Sequence, residues 1–218
     1  MNNNVINNYL AIQDYIKNNT QDRSSRNIIS VTKTFPEDKF MPLIKHGCIH
    51  FGENKVQEAE SKWTEIKKKF PKINLHMIGK LQSNKAKSAV KIFDYIHSLD
   101  NEKLAFKLSS AEDLLGKKLK YFIQINLGKE VQKNGITLDL LDQFYYYCIK
   151  EIHLNVIGLM IIPPNDGNEE KYFKLLLETN KSLGLKDLSM GMSADYKKAL
   201  KFNATFLRIG SLIFGSRN

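Results

Sequence analysis

Short apolar runs rich in β-branched and aromatic residues alternate along the chain with longer stretches that place apolar residues at helical spacing. This alternation predicts βαβ units and a parallel sheet. The predicted strands lie at residues 28–32, 48–51, 75–78, 94–97, 120–126, 155–161, 187–190 and 205–209. The predicted helices between them lie at residues 37–46, 53–69, 82–91, 101–115, 137–152, 168–183 and 194–202.

An additional amphipathic helix is predicted before the first strand. Its apolar residues recur at helical spacing and are Val5, Ile6, Tyr9, Leu10, Ile12 and Ile16. Eight strands is the number that closes a (β/α)8 barrel. No Pro-, Gly- or Ser-rich linker divides the sequence, and no long repeat is present. We therefore expect an α/β fold, a TIM-like barrel with an extra N-terminal helix, in a single domain of residues 1–218; a doubly wound open sheet is the alternative.

Composition narrows the class of protein. The 218 residues are 42% hydrophobic, and no apolar run approaches the roughly 18 residues that a membrane-spanning helix needs. The N-terminus has neither the basic region nor the apolar region of a secretory signal. Two cysteines, Cys48 and Cys148, are too few for a disulfide framework and fit a reducing compartment. We expect a cytoplasmic protein that does not bind membranes.

The formal charge of +10 is spread along the chain. Its densest clusters, at residues 67–69 and 117–120, lack interleaved aromatics, and no DNA-binding motif is present. Nucleic acid is therefore not expected as a partner. The segment HGCIH would place His46, Cys48 and His50 on one face of a strand, but no further metal ligand is evident from spacing. We expect no metal.

Polar and glycine-rich positions follow the predicted strands. Lys33 follows the first strand and Asn54 follows the second, while the segments Ser189–Ser193 and Arg208–Ser211 lie at the seventh and eighth. In a parallel barrel the carboxyl ends of all strands meet at one face, where functional residues are found. The pattern thus predicts a pocket at that face.

The last two strand ends have the features of an anion site. Ser193 is predicted as the N-cap of the helix at 194–202, where free backbone N–H groups attract phosphate. Arg208 adds a fixed cation, and Gly210 lets the backbone approach a ligand closely. A phosphate site opposite a strand-end lysine fits pyridoxal 5′-phosphate (PLP), which needs an amine for a Schiff base. Aldolase-type barrels are the alternatives.

Several ordered motifs support a family resemblance. They are VTKT (31–34), HFGEN (50–54) with VQE (56–58), HMIG (76–79) with LQSNK (81–85), IHSLD (96–100), QINLGKEVQKNGI (124–136), GLMIIPP (158–164), LSMGMSADYKKAL (188–200) and RIGSLIFGSR (208–217). Together they resemble the pyridoxal phosphate homeostasis proteins, single-domain relatives of the alanine racemase N-terminal barrel. The resemblance runs from about residue 28 to the C-terminus.

The resemblance implies PLP as the cofactor and a role for six residues. Lys33 matches the family's Schiff-base lysine, and Asn54 matches a pocket residue beside the ring. Arg208 matches the arginine that contacts the pyridine nitrogen. The positions that match the phosphate-binding residues are Ser193, Gly210 and Ser211.

The sequence departs from the family pattern at two positions near these motifs. Lys55 stands where an aromatic residue usually follows GEN, and Phe35 stands where a basic residue often follows the Schiff-base lysine. Both departures weaken the case for a subsidiary route in which additional lysines handle the cofactor. Lys133 is a candidate for a second amine near the mouth of the barrel.

The expected function is to hold PLP on Lys33 and to buffer or deliver it in vitamin B6 homeostasis, with PLP-dependent apo-enzymes as candidate recipients. Efficient racemisation needs two bases on opposite faces of the substrate carbon, and the sequence ends soon after the eighth strand without the second domain of racemases. We therefore expect a monomer that is not an enzyme. A low-activity PLP-dependent racemase and a basic interaction module are the alternatives.

Overall fold

The computed structural model describes residues 2–20, 26–127 and 134–215. Its strands are β1 (Asn27–Val31), β2 (His50–Glu53), β3 (Asn74–Met77), β4 (Tyr95–Leu99), β5 (Lys120–Gln124), β6 (Val156–Met160), β7 (Asp187–Met192) and β8 (Phe206–Ile209). They pair in sequence order, every pair is parallel, and β8 pairs with β1. The predicted closed barrel is confirmed, and the open-sheet alternative is wrong.

One helix precedes the first strand, and the other helices follow the strands around the outside of the barrel. They are α1 (Asn2–Asn19), α2 (Glu37–His46), α3 (Val56–Lys69), α4 (Ala86–Ile92), α5 (Glu102–Leu115), α6 (Leu138–Tyr146), α7 (Glu169–Ser182), α8 (Tyr196–Leu200) and α9 (Ser211–Phe214). A 3₁₀ turn at Ser83–Lys85 precedes α4, and a π-helical turn at Tyr147–Glu151 continues α6. In the described ranges, no helix is both long and apolar enough to cross a membrane.

The strands are buried on both faces, which is why their sequences are short apolar runs without strict alternation. Their outward side chains pack under the helices in one large apolar cluster. Their inward side chains include a second, smaller apolar cluster of Ile29, Tyr95, Phe122, Met160 and Phe206. The rest of the barrel interior is polar and contains His76, His97 and Ser189, each 0% exposed.

The predicted N-terminal helix is present as α1, and it packs against α2 and α9. Ile12 and Ile16 are buried on its inner face. Asn8 Nδ2 donates a hydrogen bond of 3.0 Å to the carbonyl oxygen of Ile213. Helix α1 therefore contacts the helix that follows the first strand and the helix that follows the last.

The segment HGCIH does not form one strand face, so that part of the metal-site interpretation is wrong. His46 ends α2, Gly47 takes the left-handed conformation after it (φ 99°), and His50 begins β2. Cys48 is buried beneath α1, where burial raises the pKa of its thiol to about 11. In the described residues, no group of three His, Cys, Asp or Glu side chains is placed to hold a metal ion.

Candidate functional site

A cavity of about 530 Å³ opens at the carboxyl ends of the strands and brings the six predicted site residues together. Its size is within the range of pockets that bind small molecules. The polar lining consists of Lys33, Asn54, Ser193, Arg208 and Ser211. The other lining residues are Val31, Phe35, Ile78, Ile162, Met192, Ala194, Gly210 and Gly215. The cavity thus combines five polar side chains with apolar walls.

Lys33 lies in a tight turn directly after β1. Val31 is the last residue of the strand, and the backbone reverses at Thr34, which has a φ of 68°. A positive φ is uncommon for a residue other than glycine and costs free energy unless neighbours hold it. The Lys33 side chain is half-buried at the cavity wall. Other residues must therefore fix this turn.

Lys62 of α3 holds this turn through hydrogen bonds to its backbone. Its Nζ donates to the carbonyl oxygens of Thr32 at 2.9 Å and Phe35 at 3.2 Å, one on each side of Lys33. The same ammonium group lies 2.8 Å from Glu53 Oε1 and 2.8 Å from Glu58 Oε1. One cation therefore connects both ends of the turn to two carboxylates.

The carboxylates complete this support. Glu58 Oε1 accepts a hydrogen bond of 2.6 Å from the backbone N–H of Thr34, the residue with positive φ. Glu53 is fully buried and accepts hydrogen bonds from Thr32 Oγ1 at 2.8 Å and Trp63 Nε1 at 3.0 Å. Burial raises the pKa of Glu53, while the hydrogen bonds from Lys62, Trp63 and Thr32 oppose that rise. The buried charge of Glu53 depends on Lys62.

We expect the Lys62→Met variant to lose about 3 kcal/mol of unfolding free energy, because it leaves a buried carboxylate without its cation. Urea denaturation measures the change. The matched control is Lys68→Met on the same helix, whose partner Glu65 is exposed, so its cost should stay below about 1 kcal/mol. Equal stability of the two variants would show that Lys62 does not support the Lys33 turn.

The end of the cavity that is predicted to bind an anion is built differently from the prediction. Helix α8 begins at Tyr196, and the residue before it is Asp195, so the predicted N-cap role of Ser193 is wrong. Asp195 Oδ1 accepts from Met192 N at 2.5 Å, and this contact forms a turn in place of a helical start. Ser193 is left outside the helix and faces the cavity.

Ser193 instead lies where two backbone amides, those of Gly210 and Leu212, point at its hydroxyl. Its Oγ accepts long hydrogen bonds from the N–H groups of Gly210 at 3.3 Å and Leu212 at 3.4 Å. Ser211, between them, is exposed and begins α9, a helix that periodicity did not predict. A hydroxyl and two amide donors at one point can hold an anion. The three predicted anion-site residues therefore lie together.

Arg208 lies in β8 and reaches the cavity from the barrel interior. It is 4% exposed, and its guanidinium donates from Nη1 to Ser189 Oγ at 2.7 Å and from Nη2 to the carbonyl oxygen of Ile161 at 2.8 Å. Burial lowers the pKa of Arg208 to about 10, an effect that the charge of Asp195 opposes. The side chain therefore remains a cation at neutral pH, with its fork held in one orientation.

Asn54 follows β2 and is positioned by a close backbone approach. A Cβ on Gly79 would lie 2.5 Å from the Asn54 carbonyl oxygen and 2.8 Å from its Cα, so only glycine fits there. Asn54 also lines a neighbouring cavity of about 310 Å³ with Lys55 and Lys80. Lys55, the first of the two departures from the family pattern, thus lines the neighbouring cavity and not the main one.

The second departure, Phe35, lines the main cavity and packs on Phe214 with ring centroids 5.0 Å apart. It links the Lys33 turn to α9 through an apolar contact where the family often has a charge. Lys133, the candidate second amine, lies outside the described residues.

Sequence reasoning missed the residues that support the site. Lys62 and Glu58 lie on a helix that reads as an ordinary charged surface. Ser189 was predicted only as part of the segment at the end of the seventh strand; it lies inside β7, where its alternation with Leu188 and Met190 was the signal for an inward side chain. Apolar wall residues such as Ile78 and Ile162 could not be distinguished from core positions.

Comparisons with known proteins show the family to which the chain belongs. The family model of the alanine racemase N-terminal domain matches residues 8–218. The chain is 35% identical over 206 residues to the pyridoxal phosphate homeostasis protein of Vibrio cholerae, covering 90% of this chain and 87% of that one. It is 34% identical over 206 residues to the protein of the same name from Aquifex aeolicus, covering 87% and 86%.

Solved structures show the same fold. PipY of Synechococcus elongatus, in a structure with PLP bound, superposes with a TM-score of 0.86 at 31% identity, covering 97% of this chain and 100% of that chain. Alanine racemase of Clostridium difficile superposes with a TM-score of 0.70 at 15% identity, covering 99% of this chain and 57% of that chain. The second likeness concerns the fold alone.

Proposed function

Because the chain belongs to the pyridoxal phosphate homeostasis proteins of the alanine racemase N-terminal domain family, we propose that it binds PLP in the cavity at the carboxyl ends of the strands. In this proposal Lys33 holds the cofactor as a Schiff base, and the protein buffers or delivers PLP in vitamin B6 homeostasis. The observation that carries the proposal is that Lys33, Arg208 and Ser193 line one cavity.

The residues that line the cavity fit the chemistry of PLP. Lys33 supplies a primary amine for the aldehyde, while the Ser193 hydroxyl and the Gly210 and Leu212 amides supply donors for a phosphate. Apolar side chains such as Ile78 and Met192 form walls for a flat ring. When bound, PLP supplies an aldehyde that condenses with amines and a ring that accepts electron density.

Arg208 is the hydrogen-bond donor that the cavity provides for a ring nitrogen. A guanidinium donates a hydrogen bond but does not readily give up a proton, and the pKa of Arg208, although lowered by burial to about 10, stays above neutral pH. A ring nitrogen placed against Arg208 would therefore stay unprotonated. That environment is poorer for electron-sink chemistry than an acidic partner, and it fits a carrier or a racemase better than a transaminase.

We propose further that the protein is not an efficient enzyme. Of the described residues that line the cavity, Lys33 and Arg208 are the ones with ionisable side chains. A second base opposite Lys33, which efficient racemisation requires, is not among them. A low-activity racemase is the alternative. In the same proposal the protein acts as a cytoplasmic monomer, and PLP-dependent apo-enzymes receive its cofactor.

Titration of apo-protein with PLP tests this function. We expect binding of one PLP per chain, and the Ser193→Ala variant should retain it about tenfold less well because it loses one donor to the phosphate. Equilibrium dialysis and the absorbance of bound cofactor measure both. Unchanged retention would contradict the proposed phosphate site. In the same preparations, rapid turnover of L-alanine or L-serine that requires Lys33 would favour the racemase alternative.

A further inference from the structure

Three of the five histidines form a hydrogen-bonded chain through the barrel interior. His50 Nδ1 lies 2.9 Å from His76 Nε2, and His76 Nδ1 lies 2.9 Å from His97 Nε2. His97 Nδ1 lies 2.7 Å from Ser189 Oγ, which accepts from Arg208 Nη1. The chain crosses β2, β3, β4, β7 and β8, beginning at the first residue of β2 and ending at the guanidinium that lines the cavity.

Aromatic side chains hold these imidazoles in place. Tyr95 stacks on His76 and Phe122 stacks on His97, each with ring centroids 4.3 Å apart and planes about 20° from parallel. Phe206 meets the His97 ring edge-on. His76 and His97 are fully buried, so their hydrogen bonds must be made within the barrel.

The hydrogen-bond direction follows from Arg208. A guanidinium only donates, so Ser189 Oγ is its acceptor. In the described part of the chain the serine hydroxyl has one other partner, His97 Nδ1, and must give it its single proton. His97 then carries its proton on Nε2 and donates to His76 Nδ1. By the same reasoning His76 donates from Nε2 to His50.

This hydrogen-bond direction offsets the free-energy cost of burying the Arg208 charge. Across the described ranges, no carboxylate pairs directly with Arg208, although the side chain is 4% exposed. A buried cation needs compensating partners. With every proton pointing away from the guanidinium, each group in the chain presents its negative end toward Arg208, and the polarisation adds along the chain.

The lowered pKa values of the three histidines are consistent with neutral imidazole rings. Burial lowers the pKa of His76 and of His97 well below the ordinary range, and the positive charge of Arg208 adds to this for His97. Burial also lowers the pKa of His50 to about 4. The charged groups nearest to the outer end of the chain are Lys120, Asp94 and Lys67.

We propose that Ser189, His97, His76 and His50 act as positioning residues that orient the Arg208 guanidinium toward the ring nitrogen of a bound cofactor. The inference rests on the proposed function for the identity of that ring. The arrangement of the apo-protein residues themselves does not depend on it.

The tautomers of the apo-protein test the chain directly. Long-range ¹H–¹⁵N spectra at pH 7 should show His76 and His97 neutral and protonated on Nε2. This measurement needs no variant and no cofactor. A proton on Nδ1 of His97, or a charged His97 ring, would overturn the proposal.

The Ser189→Ala variant tests the effect on the cofactor. It removes the acceptor of Arg208 and the donor to His97, so we expect His97 to change tautomer and bound PLP to show a shifted absorption band and about tenfold weaker retention. The matched control is Ser30→Ala, a serine in β1 that is equally buried and whose hydroxyl has no partner among the described residues. This control should behave as the wild type.

The outcomes separate the two proposals. If wild-type protein takes up no PLP on Lys33, the proposed function fails, while the apo-protein tautomers still decide the hydrogen-bond chain. If wild-type protein holds PLP and Ser189→Ala matches Ser30→Ala in both band and retention, the positioning role fails and the function stands. If Ser189→Ala does not fold, the wild-type tautomers remain decisive.

Discussion

We expect the Lys33→Met variant to fold and to lose all PLP that borohydride can fix to the protein. Reduction converts a Schiff base into a stable secondary amine, so the label marks the lysine that held the cofactor. In wild-type protein, peptide mass mapping should place the label on Lys33. The turn that carries Lys33 is held by backbone contacts to Lys62 and Glu58, so removal of the Lys33 amine should leave the fold intact.

The matched control for this experiment is Lys55→Met. Lys55 follows Asn54 and lines the neighbouring cavity rather than the main one, so its removal should leave the label on Lys33 unchanged. This variant also tests whether the lysine at this unusual position has a part in cofactor capture. Label that persists at wild-type level in Lys33→Met, on any other lysine, would refute the assignment of Lys33.

The Gly158→Ala variant should lose more than about 4 kcal/mol of unfolding free energy, an effect at the far end of the range for point substitutions. A Cβ on Gly158 would lie 1.9 Å from the carbonyl oxygen of Asp187 and 2.6 Å from its carbonyl carbon. Both atoms belong to the backbone of β7, which pairs with β6 at this residue. The two strands would have to separate, and the closed barrel allows no such adjustment without loss of hydrogen bonds.

Soluble yield and the urea midpoint measure this effect. Gly210→Ala is the matched control, because a Cβ there would meet its nearest neighbour, the Val31 Cβ, at an ordinary 3.5 Å. This control should fold with a midpoint near that of the wild type. A Gly158→Ala protein as stable as Gly210→Ala would mean that β6 and β7 are further apart than the structure places them.

The strands could be predicted because parallel strands in a barrel are buried on both faces and read as short apolar runs. The prediction at 187–190 begins where β7 begins, and the prediction at 37–46 coincides with α2. The second strand was placed two residues early, at 48–51, because the polar residue Glu53 is unexpected in a strand. It is buried there through hydrogen bonds from Thr32 and Trp63, which lie elsewhere in the sequence.

The candidate site was only partly predictable. Strand ends identified Lys33, Asn54 and Arg208 as neighbours, because the topology alone brings those positions to one face. The N-cap prediction for Ser193 failed because helix α8 begins three residues later, at Tyr196, after a turn in which Asp195 Oδ1 accepts from the Met192 N–H group. The short helix α9 has too few residues to show a period.

The histidine chain could not be predicted from sequence. His50, His76 and His97 are separated by more than 20 residues each and look like isolated polar residues in apolar strands. Their contacts depend on the register between neighbouring strands, which sets the height of each ring within the barrel. That register is a property of the closed sheet rather than of any local segment.

Helix α1 contacts helices on both sides of the cavity. It packs against α2, which follows the Lys33 turn, and against α9, which begins with the amides near Ser193. If a ligand bound to Lys33 at one end and to those amides at the other holds α2 and α9 in the arrangement that α1 packs against, it favours docking of α1. By thermodynamic linkage, docking of α1 must favour the ligand to the same extent. The N-terminal helix, whose described residues do not line the cavity, would then contribute to the free energy of cofactor binding.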